Sequence, residues 1–301
     1  MKVVSILLFL VSGIQAQQVY HGSILLKTQS EVDSFKVKYP NVSKIDENLW
    51  IESEYKQPIF NLDSLHGIEE IGNKLVVQSN YSLSSISGLS SIKSVSELVF
   101  RNNDLIKSLD DFTKLEQIKT GIKISGNRRL KDLSNLRNMN YKSIEYFIFM
   151  GNDNVRSLSV SNSFEKLSEI TITGNNKLKT VIGFSNIDSL NYVEISANNL
   201  LKEVLFLNKI REINQCRIAF NRTLNMVDMS NLEEVNHKIS IIDNPNLMGV
   251  KFSNKLSLSP DCNVVIKSNE KLNVKDKTIL CRLLSNSNKN IEIIENKTDC
   301  E

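Results

Sequence analysis

The sequence predicts a mainly β fold, a parallel β-solenoid of about ten coils with short helical caps at both ends. One short frame recurs along the chain and is clearest at 170–181. Counted from Ile170 as position zero, apolar residues stand at positions zero, two, eight and eleven, and an asparagine stands at position five. The frame asparagines are Asn80, Asn103, Asn127, Asn152, Asn175, Asn198, Asn221, Asn244, Asn269 and Asn296. They follow one another at intervals of 23 to 27 residues, a period that indicates a solenoid.

Positions zero to three predict a strand with one buried face, because successive side chains of a strand point to opposite sides. Position four is small or turn-prone in many copies, as at Gly174, which suits a bend at the end of the strand. We expect the asparagine after it to turn inward, where its amide both donates and accepts hydrogen bonds and satisfies backbone groups that no strand pairs. Stacked from coil to coil, these side chains would form an internal asparagine ladder.

Residues 1–16 have the layout of a secretory signal peptide. Lys2 supplies the charge, residues 3–11 the apolar run, and Ala16 the cleavage site. The alternative is a buried N-terminal strand. No later segment approaches the roughly 20 apolar residues of a transmembrane helix. We therefore expect an exported chain without a transmembrane segment, either secreted or held at the cell surface by another molecule.

Residues 17–48 are predicted to form an N-terminal cap. Thr28 and Glu31 have the spacing of a capping box at the start of a short helix. Val32 and Phe35 then lie on one face of that helix. We expect this face to cover the open end of the first coil.

The solenoid repeats are predicted to occupy residues 49–272, and the tryptophan of the chain stands in their first, irregular coil. On the strand register, Trp50 faces outward. Packing in the cap under Tyr55 or Pro58 is the favoured interpretation, and contact with a ligand is the alternative.

The second half of each repeat carries apolar residues three apart, such as Leu89, Ile92 and Val95. This spacing fits either a helical turn or a bent chain with inward side chains. Poor helix formers such as Gly88 favour short strands and turns.

Residues 273–301 are predicted to form a C-terminal cap, a short helix followed by a final strand. Cysteines of an exported chain tend to pair, and a bridge between Cys281 and Cys300 would fix the helix to the last coil. Cys262 competes for either partner. Cys216 occupies an inward position zero and is expected to be a small buried thiol.

Composition and motifs narrow the functional classes. The formal net charge of +3 is too small to indicate binding to nucleic acid or to a membrane. The three histidines are scattered and have no metal-ligand spacing with the cysteines. Phosphate-binding glycine loops and nucleophile motifs are absent from the sequence. We expect no catalytic residue, no metal and no cofactor.

The repeated pattern Leu-x-Ile-x-x-Asn-x-x-Leu-x-x-Leu, with two residues between asparagine and the next leucine, resembles the receptor L-domain family rather than the ordinary leucine-rich repeat. The opening at 26–40 and the closing at 280–300 are similar to the caps of its secreted bacterial surface-protein members. The resemblance spans about 22–300. This sequence lacks the cysteine-rich, transmembrane and kinase segments of the receptor members and the C-terminal sorting domain of many bacterial ones. The resemblance implies a right-handed, leucine-rich-repeat-like β-solenoid and a role in adhesion or recognition.

A binding role would place the ligand on the outward face of the frame strands, at positions minus one, one and three. Aromatic and apolar residues stand there in the middle of the chain, between polar ends, a composition that often marks a contact site. The candidate residues are Tyr146, Ile148, Met150, Thr171, Thr173, Tyr192, Glu194 and Ser196. We expect a protein or glycan ligand at the cell surface. The alternative is that branched residues stand there only because they favour strands.

A β-helix enzyme acting on polysaccharides is the second interpretation, because such folds repeat at a similar length and gather carboxylates on one face. Glu169 and Glu194, on adjacent coils, are the nearest candidates. Glu194 is also expected beside Arg217 of the next coil, where an ion pair between strands explains both residues. A catalytic cluster should interrupt the repeat. Since no interruption is visible, we favour binding.

Overall fold

Strands dominate the protein in its computed structural model, which describes residues 18–131, 133–137, 139, 141, 143–273, 279 and 291–296. The strands are β1 (Gln18–Tyr20), β2 (Ile24–Leu26), β3 (Val42–Ile45), β4 (Leu49–Glu52), β5 (Glu70–Gln78), β6 (Ser94–Arg101), β7 (Gln117–Ser125), β8 (Ser143–Met150), β9 (Ser157–Ser159), β10 (Lys166–Thr173), β11 (Thr180–Ile182), β12 (Ser189–Ser196), β13 (Glu212–Ala219), β14 (Met226–Met229), β15 (Glu234–Ile242), β16 (Gly249–Phe252), β17 (Ser257–Leu258), β18 (Asn263–Lys267) and β19 (Ile291–Ile294). The helices are α1 (Gln29–Asp33) and α2 (Phe35–Lys38), with 3-10 helices at Asp63–Leu65, Ser87–Leu89, Ser134–Arg137 and Leu205–Lys209.

The strands form a parallel solenoid. The main sheet has 15 strands in the order β1-β3-β5-β6-β7-β8-β10-β12-β13-β15-β18-β19, with β2, β4 and β17 joined beside this path. Two small parallel sheets, β9–β11 and β14–β16, lie apart from it. Each coil adds its strand next to that of the preceding coil, which gives about 11 turns. The predicted mainly β, parallel solenoid is confirmed.

The strand register follows the frame. Ile170 pairs with Val193 and Ile172 with Ile195, so equivalent positions of neighbouring coils lie side by side. These four side chains are fully buried. The apolar core is one continuous cluster that accompanies the sheet along its length. Coils therefore bury their apolar residues largely against their neighbours, as expected for a repeat protein.

A row of buried asparagines runs along this core. The frame residues from Asn80 to Asn269 are 0% exposed. At Asn175, the side-chain Oδ1 accepts from the backbone N–H of Asn152 at 2.9 Å, and Nδ2 donates to the carbonyl of Phe149 at 3.1 Å. The same two bonds recur at the other frame asparagines from Asn103 to Asn296. At Asn80, the first of the row, Nδ2 donates to the Ile51 carbonyl and Oδ1 accepts from the Ser53 hydroxyl at 2.8 Å. Each amide thus satisfies backbone groups of the preceding coil that no strand pairs.

The residue before each frame asparagine turns the chain through the left-handed backbone region. These residues have φ between 53° and 68° and are Ser79, Asn102, Gly126, Gly151, Gly174, Ala197, Phe220, Asp243, Ser268 and Glu295. Glycine adopts this conformation without steric cost. The bend expected at position four is therefore present, and it is imposed even on bulky Phe220.

The N-terminal helices begin as the sequence predicts. The Glu31 N–H donates to Thr28 Oγ1 at 3.2 Å, and the Thr28 N–H donates to Glu31 Oε2 at 3.1 Å, which completes the predicted capping box. Val32 and Phe35 are buried in the apolar cluster of the solenoid. The ring of Tyr39 lies 5.1 Å from that of Phe35, so the apolar face of the two helices packs against the first coils.

The second half of the repeats combines two conformations. The prediction of short strands and turns is correct for β9 and β11 and wrong for Ser87–Leu89, which is a 3-10 helix. There the Leu89 N–H donates to the Ile86 carbonyl at 2.8 Å. Apolar spacing of three residues matches the period of this helix, and its bonds are short-range, so a poor helix former such as Gly88 is tolerated.

An aromatic column fills the core beside these segments. The ring centroids of Tyr141 and Phe164 are 4.5 Å apart, those of Phe164 and Phe184 are 5.1 Å apart, and those of Phe184 and Phe206 are 5.2 Å apart. These spacings favour aromatic contact. The column lies outside the frame positions, and its rings connect four successive coils.

Several predictions concern residues that the structure does not describe. The predicted signal peptide at 1–16, Cys281 and Cys300 lie outside the described residues, as does most of the predicted C-terminal helix.

Cys216 is buried at its inward position, and this burial raises the pKa of its thiol to about 12. Cys262 is also buried. In the described part of the chain, no helix has the length and apolar character needed to cross a membrane.

Candidate functional site

The outward face is the side of the main sheet formed by positions minus one, one and three of the frame. The register brings the eight candidate residues together there on strands β8, β10 and β12. The rows across these strands are Tyr146, Glu169 and Tyr192 at position minus one, Ile148, Thr171 and Glu194 at position one, and Met150, Thr173 and Ser196 at position three. Because neighbouring strands lie about 4.8 Å apart, these side chains form one compact surface.

The candidate side chains differ in how far they are exposed to solvent. Met150 is 36% exposed, and Ile148 and Thr173 are half-buried. Thr171 and Ser196 are buried although they point to the outward side. A ligand would therefore meet an apolar centre at Ile148 and Met150, with the two buried hydroxyl groups beneath the surface.

Tyr146 is held in place by the two preceding coils. Its ring lies over Gly121, where an added Cβ would stand 2.5 Å from the Tyr146 Cζ. Its hydroxyl hydrogen-bonds to Glu97 of β6, which pairs with Lys74 at 2.5 Å. Burial, followed by the bond to Glu97, raises the pKa of the Tyr146 phenol. Tyr146 is thus a positioned, hydrogen-bonded side chain.

The repeat pattern of the sequence does not by itself predict the contact between Tyr146 and Glu97. Gly121 and Tyr146 occupy the same frame position in consecutive coils. A glycine at that position leaves room for the neighbouring tyrosine ring, and this pairing is the sequence feature that could have indicated the contact. The sequence pattern places Tyr146 only in an apolar aromatic centre. In the structure, its hydroxyl has an acidic partner two strands away.

Glu194 is hydrogen-bonded or ion-paired to three neighbouring side chains, those of Tyr192, Ser196 and Arg217. The Tyr192 hydroxyl donates to Glu194 Oε2 at 2.8 Å, the Ser196 hydroxyl donates to Oε1 at 2.8 Å, and Arg217 Nε lies 3.3 Å from Oε1. Ser196 and Thr173 share a further hydrogen bond of 2.7 Å. Burial, followed by the bond to Glu194, raises the pKa of Tyr192 to about 12. The network fixes this part of the face.

The two carboxylates of the enzyme interpretation have local partners. Glu169 accepts a hydrogen bond from the Thr171 hydroxyl at 2.9 Å. Glu194 pairs in register with Arg217 of the next strand. The ion pair between strands that the sequence predicts is therefore present, and the contacts of both carboxylates are those of side chains that hold a surface together.

Trp50 stands on the outward face near its N-terminal end. It pairs in register with Leu25 and Val76 and is partly exposed. Tyr55 is 97% exposed, so packing of Trp50 under Tyr55 was a wrong expectation: a ring in full contact with water covers nothing. Leu25 and Trp50 thus form a second apolar patch on this face, separated from Ile148 by Lys123 of β7.

Across the described ranges, no three histidine, cysteine, aspartate or glutamate side chains are grouped so that they could hold a metal ion. No family model, curated protein or solved structure matches this chain. A function is therefore inferred from the residues of the outward face and from the sequence.

Proposed function

We propose that the protein is a secreted or cell-surface binding protein that recognises a protein or a glycan through the outward face of its solenoid. The observation that carries this proposal is the apolar centre at Ile148 and Met150. It lies between the polar residues Lys123 and Ser125 of β7 and the paired hydroxyls of Thr171 and Thr173 of β10. An accessible apolar centre with a polar surround is the usual composition of a contact site.

The proposal is supported by the fixed geometry of the face. Tyr146 is held through Glu97, and Tyr192 and Ser196 are held through Glu194. A surface that is ordered before the ligand arrives loses little side-chain freedom on binding. The paired hydroxyl and carboxylate groups therefore support the apolar centre rather than compete for the ligand.

The finer architecture belongs to the same proposal. We infer a right-handed solenoid of the receptor L-domain kind, exported by a signal peptide at 1–16, with α1 and α2 as its N-terminal cap and a bridge between Cys281 and Cys300 at its C-terminal end. The row of frame asparagines would act as a ladder that keeps neighbouring coils in register. What supports this is the sequence frame and the parallel stacking of its coils. Repeat solenoids commonly serve as extended binding surfaces.

A charge placed in the apolar centre tests the binding face. Met150→Glu should weaken capture of the ligand at least about 10-fold, because a buried carboxylate without a partner opposes association. The measurement is retention on a glycan array and in a pull-down from cell-surface extracts.

The matched control is Leu200→Glu, which introduces the same charge at a side chain of similar exposure, 40% against 36% for Met150. Leu200 lies in the turn after Asn198, away from the outward face. Both variants should melt at the same temperature. Full retention by Met150→Glu, or equal loss in the two variants, would remove the outward face as the binding surface.

A further inference from the structure

A small recess opens on the outward face across strands β12, β13 and β15, beginning two strands beyond the apolar centre on β8. Its volume is about 120 Å³, and its lining consists of Tyr192, Gln215, Cys216, Arg217, Lys238 and Ser240. The register explains this grouping, because Gln215 pairs with Lys238, and Arg217 pairs with Ser240. The recess is thus built from equivalent positions of consecutive coils.

Ser240 is the unusual residue of the recess. It is 4% exposed, and its hydroxyl makes no hydrogen bond to any described residue. Elsewhere on the outward face the buried hydroxyls are paired: Thr171 donates to Glu169 and Ser196 donates to Glu194. The Ser240 hydroxyl lines the recess, so it can donate a hydrogen bond to a molecule bound there and accept one from it.

The charges around the recess favour an anion. Arg217 and Lys238 both line it, and Glu194 pairs with Arg217. Lys238 has no carboxylate within ion-pair distance among the described residues. One positive charge is thus left over at a site that also offers the free amide of Gln215 and the hydroxyl of Ser240. Such donors suit a carboxylate, whose two oxygens accept several hydrogen bonds.

We propose that this recess binds the carboxylate of an acidic sugar, a hexuronate unit of a polysaccharide. The inference rests on the proposed binding function and names the ligand class for the same face. A volume of 120 Å³ is well below the roughly 300 Å³ at which pockets for whole small molecules begin. It suits one charged group and the ring atoms next to it, with the rest of the saccharide lying on the sheet.

Two features favour a sugar over an acidic side chain of a protein. Gln215 and Ser240 carry groups that both donate and accept hydrogen bonds, as sugar hydroxyls require, whereas a protein carboxylate only accepts. Phe220 is exposed beside Arg217, whose guanidinium carbon lies 5.6 Å from the ring centroid. An exposed aromatic ring provides a surface for the apolar side of a sugar ring.

The experiment titrates the protein with trigalacturonate and with its methyl ester, which keeps the rings and removes the charge. We expect the acid to bind at least about 10-fold more tightly than the ester, with an affinity that falls as salt is added. Lys238→Met should weaken binding of the acid about 10-fold or more, and Ser240→Ala should weaken it by a smaller factor. The control is Lys251→Met, which removes one positive charge from exposed β16, outside the outward face, and should leave binding unchanged.

Three results would overturn the inference: no binding of trigalacturonate, equal binding of the ester, or equal weakening by Lys251→Met. Equal binding of a hexaglutamate peptide would also overturn it, in favour of an acidic protein partner. The capture assay with Lys238→Met separates the two proposals. If Lys238→Met captures surface material normally while Met150→Glu does not, the binding face stands and the acidic-sugar site fails.

Discussion

At the scale of single residues, the backbone before each frame asparagine has the same left-handed conformation whichever side chain it carries. Gly174 and Ala197 occupy this position in consecutive coils, with φ of 67° and 53°. For residues other than glycine, the left-handed conformation costs about 1–2 kcal/mol. Exchanging glycine for alanine at Gly174, and alanine for glycine at Ala197, should therefore change the stability in opposite directions.

Gly174→Ala should lower the free energy of unfolding by about 1 kcal/mol, and Ala197→Gly should raise it by less, because glycine also adds entropy to the unfolded chain. A Cβ on Gly174 would meet no heavy atom closer than 3.7 Å, the backbone nitrogen of Gly151. The cost is therefore conformational and does not arise from a clash. Urea denaturation measures both variants, and a change of the same sign in the two would contradict this account.

The phenol of Tyr192 gives a dependence of stability on pH. Its pKa is about 12 in the folded protein against roughly 10 in the unfolded chain, so the folded state holds its proton longer. The stabilisation is complete below pH of about 10 and is lost as the pH rises through about 12. As the pH rises from about 10 to about 12, the Tyr192→Phe variant should therefore lose less free energy of unfolding than the wild type. Thermal unfolding followed across this range tests it, and parallel curves for the two proteins would refute it.

At the scale of structural elements, the row of asparagines connects the coils. Asn175→Leu should lower the free energy of unfolding by about 2–4 kcal/mol, because it leaves the Asn152 N–H and the Phe149 carbonyl buried without partners. The control is Asn176→Ala, which removes an exposed amide bonded to Asp153 at 2.7 Å and should change stability by less than about 0.5 kcal/mol. Chemical denaturation compares them, and equal effects would show that the inward amides have no special role.

The elements divide into those that the sequence predicts and those that it does not. The frame predicts the strands and their register, because alternation at Ile170 and Ile172 has the period of a half-buried strand. The 3-10 helix at Ser87–Leu89 escapes prediction, because apolar residues three apart fit a turn equally well. The ring of Tyr146 over Gly121 escapes it for another reason: the contact depends on which residues neighbouring coils place side by side and on the direction of one side chain.

The same contrast holds for the candidate site. The register places the eight predicted residues on adjacent strands because equal frame positions pair between coils. Which of them are exposed was not predictable, since Thr171 is buried and Met150 is not, although both belong to outward positions. Burial there depends on the size of the neighbouring side chains, which the frame does not specify.

At the scale of the whole molecule, the outward face changes character along the solenoid. Leu25 and Trp50 are exposed near its N-terminal end, Ile148 and Met150 form its centre, and the recess near Ser240 follows. Since each coil contacts mainly its neighbours, substitutions in the centre should leave distant coils intact. One continuous surface can therefore hold an apolar contact and a polar one at the same time.

The most direct measurement of the binding face is a methionine oxidation footprint. Met150 on the face and Met248 outside it are both exposed, at 36% and 57%, so both should oxidise in the free protein. With the captured ligand bound, oxidation of Met150 should fall several-fold while that of Met248 stays unchanged. Protection of Met248 with continued oxidation of Met150 would contradict the account.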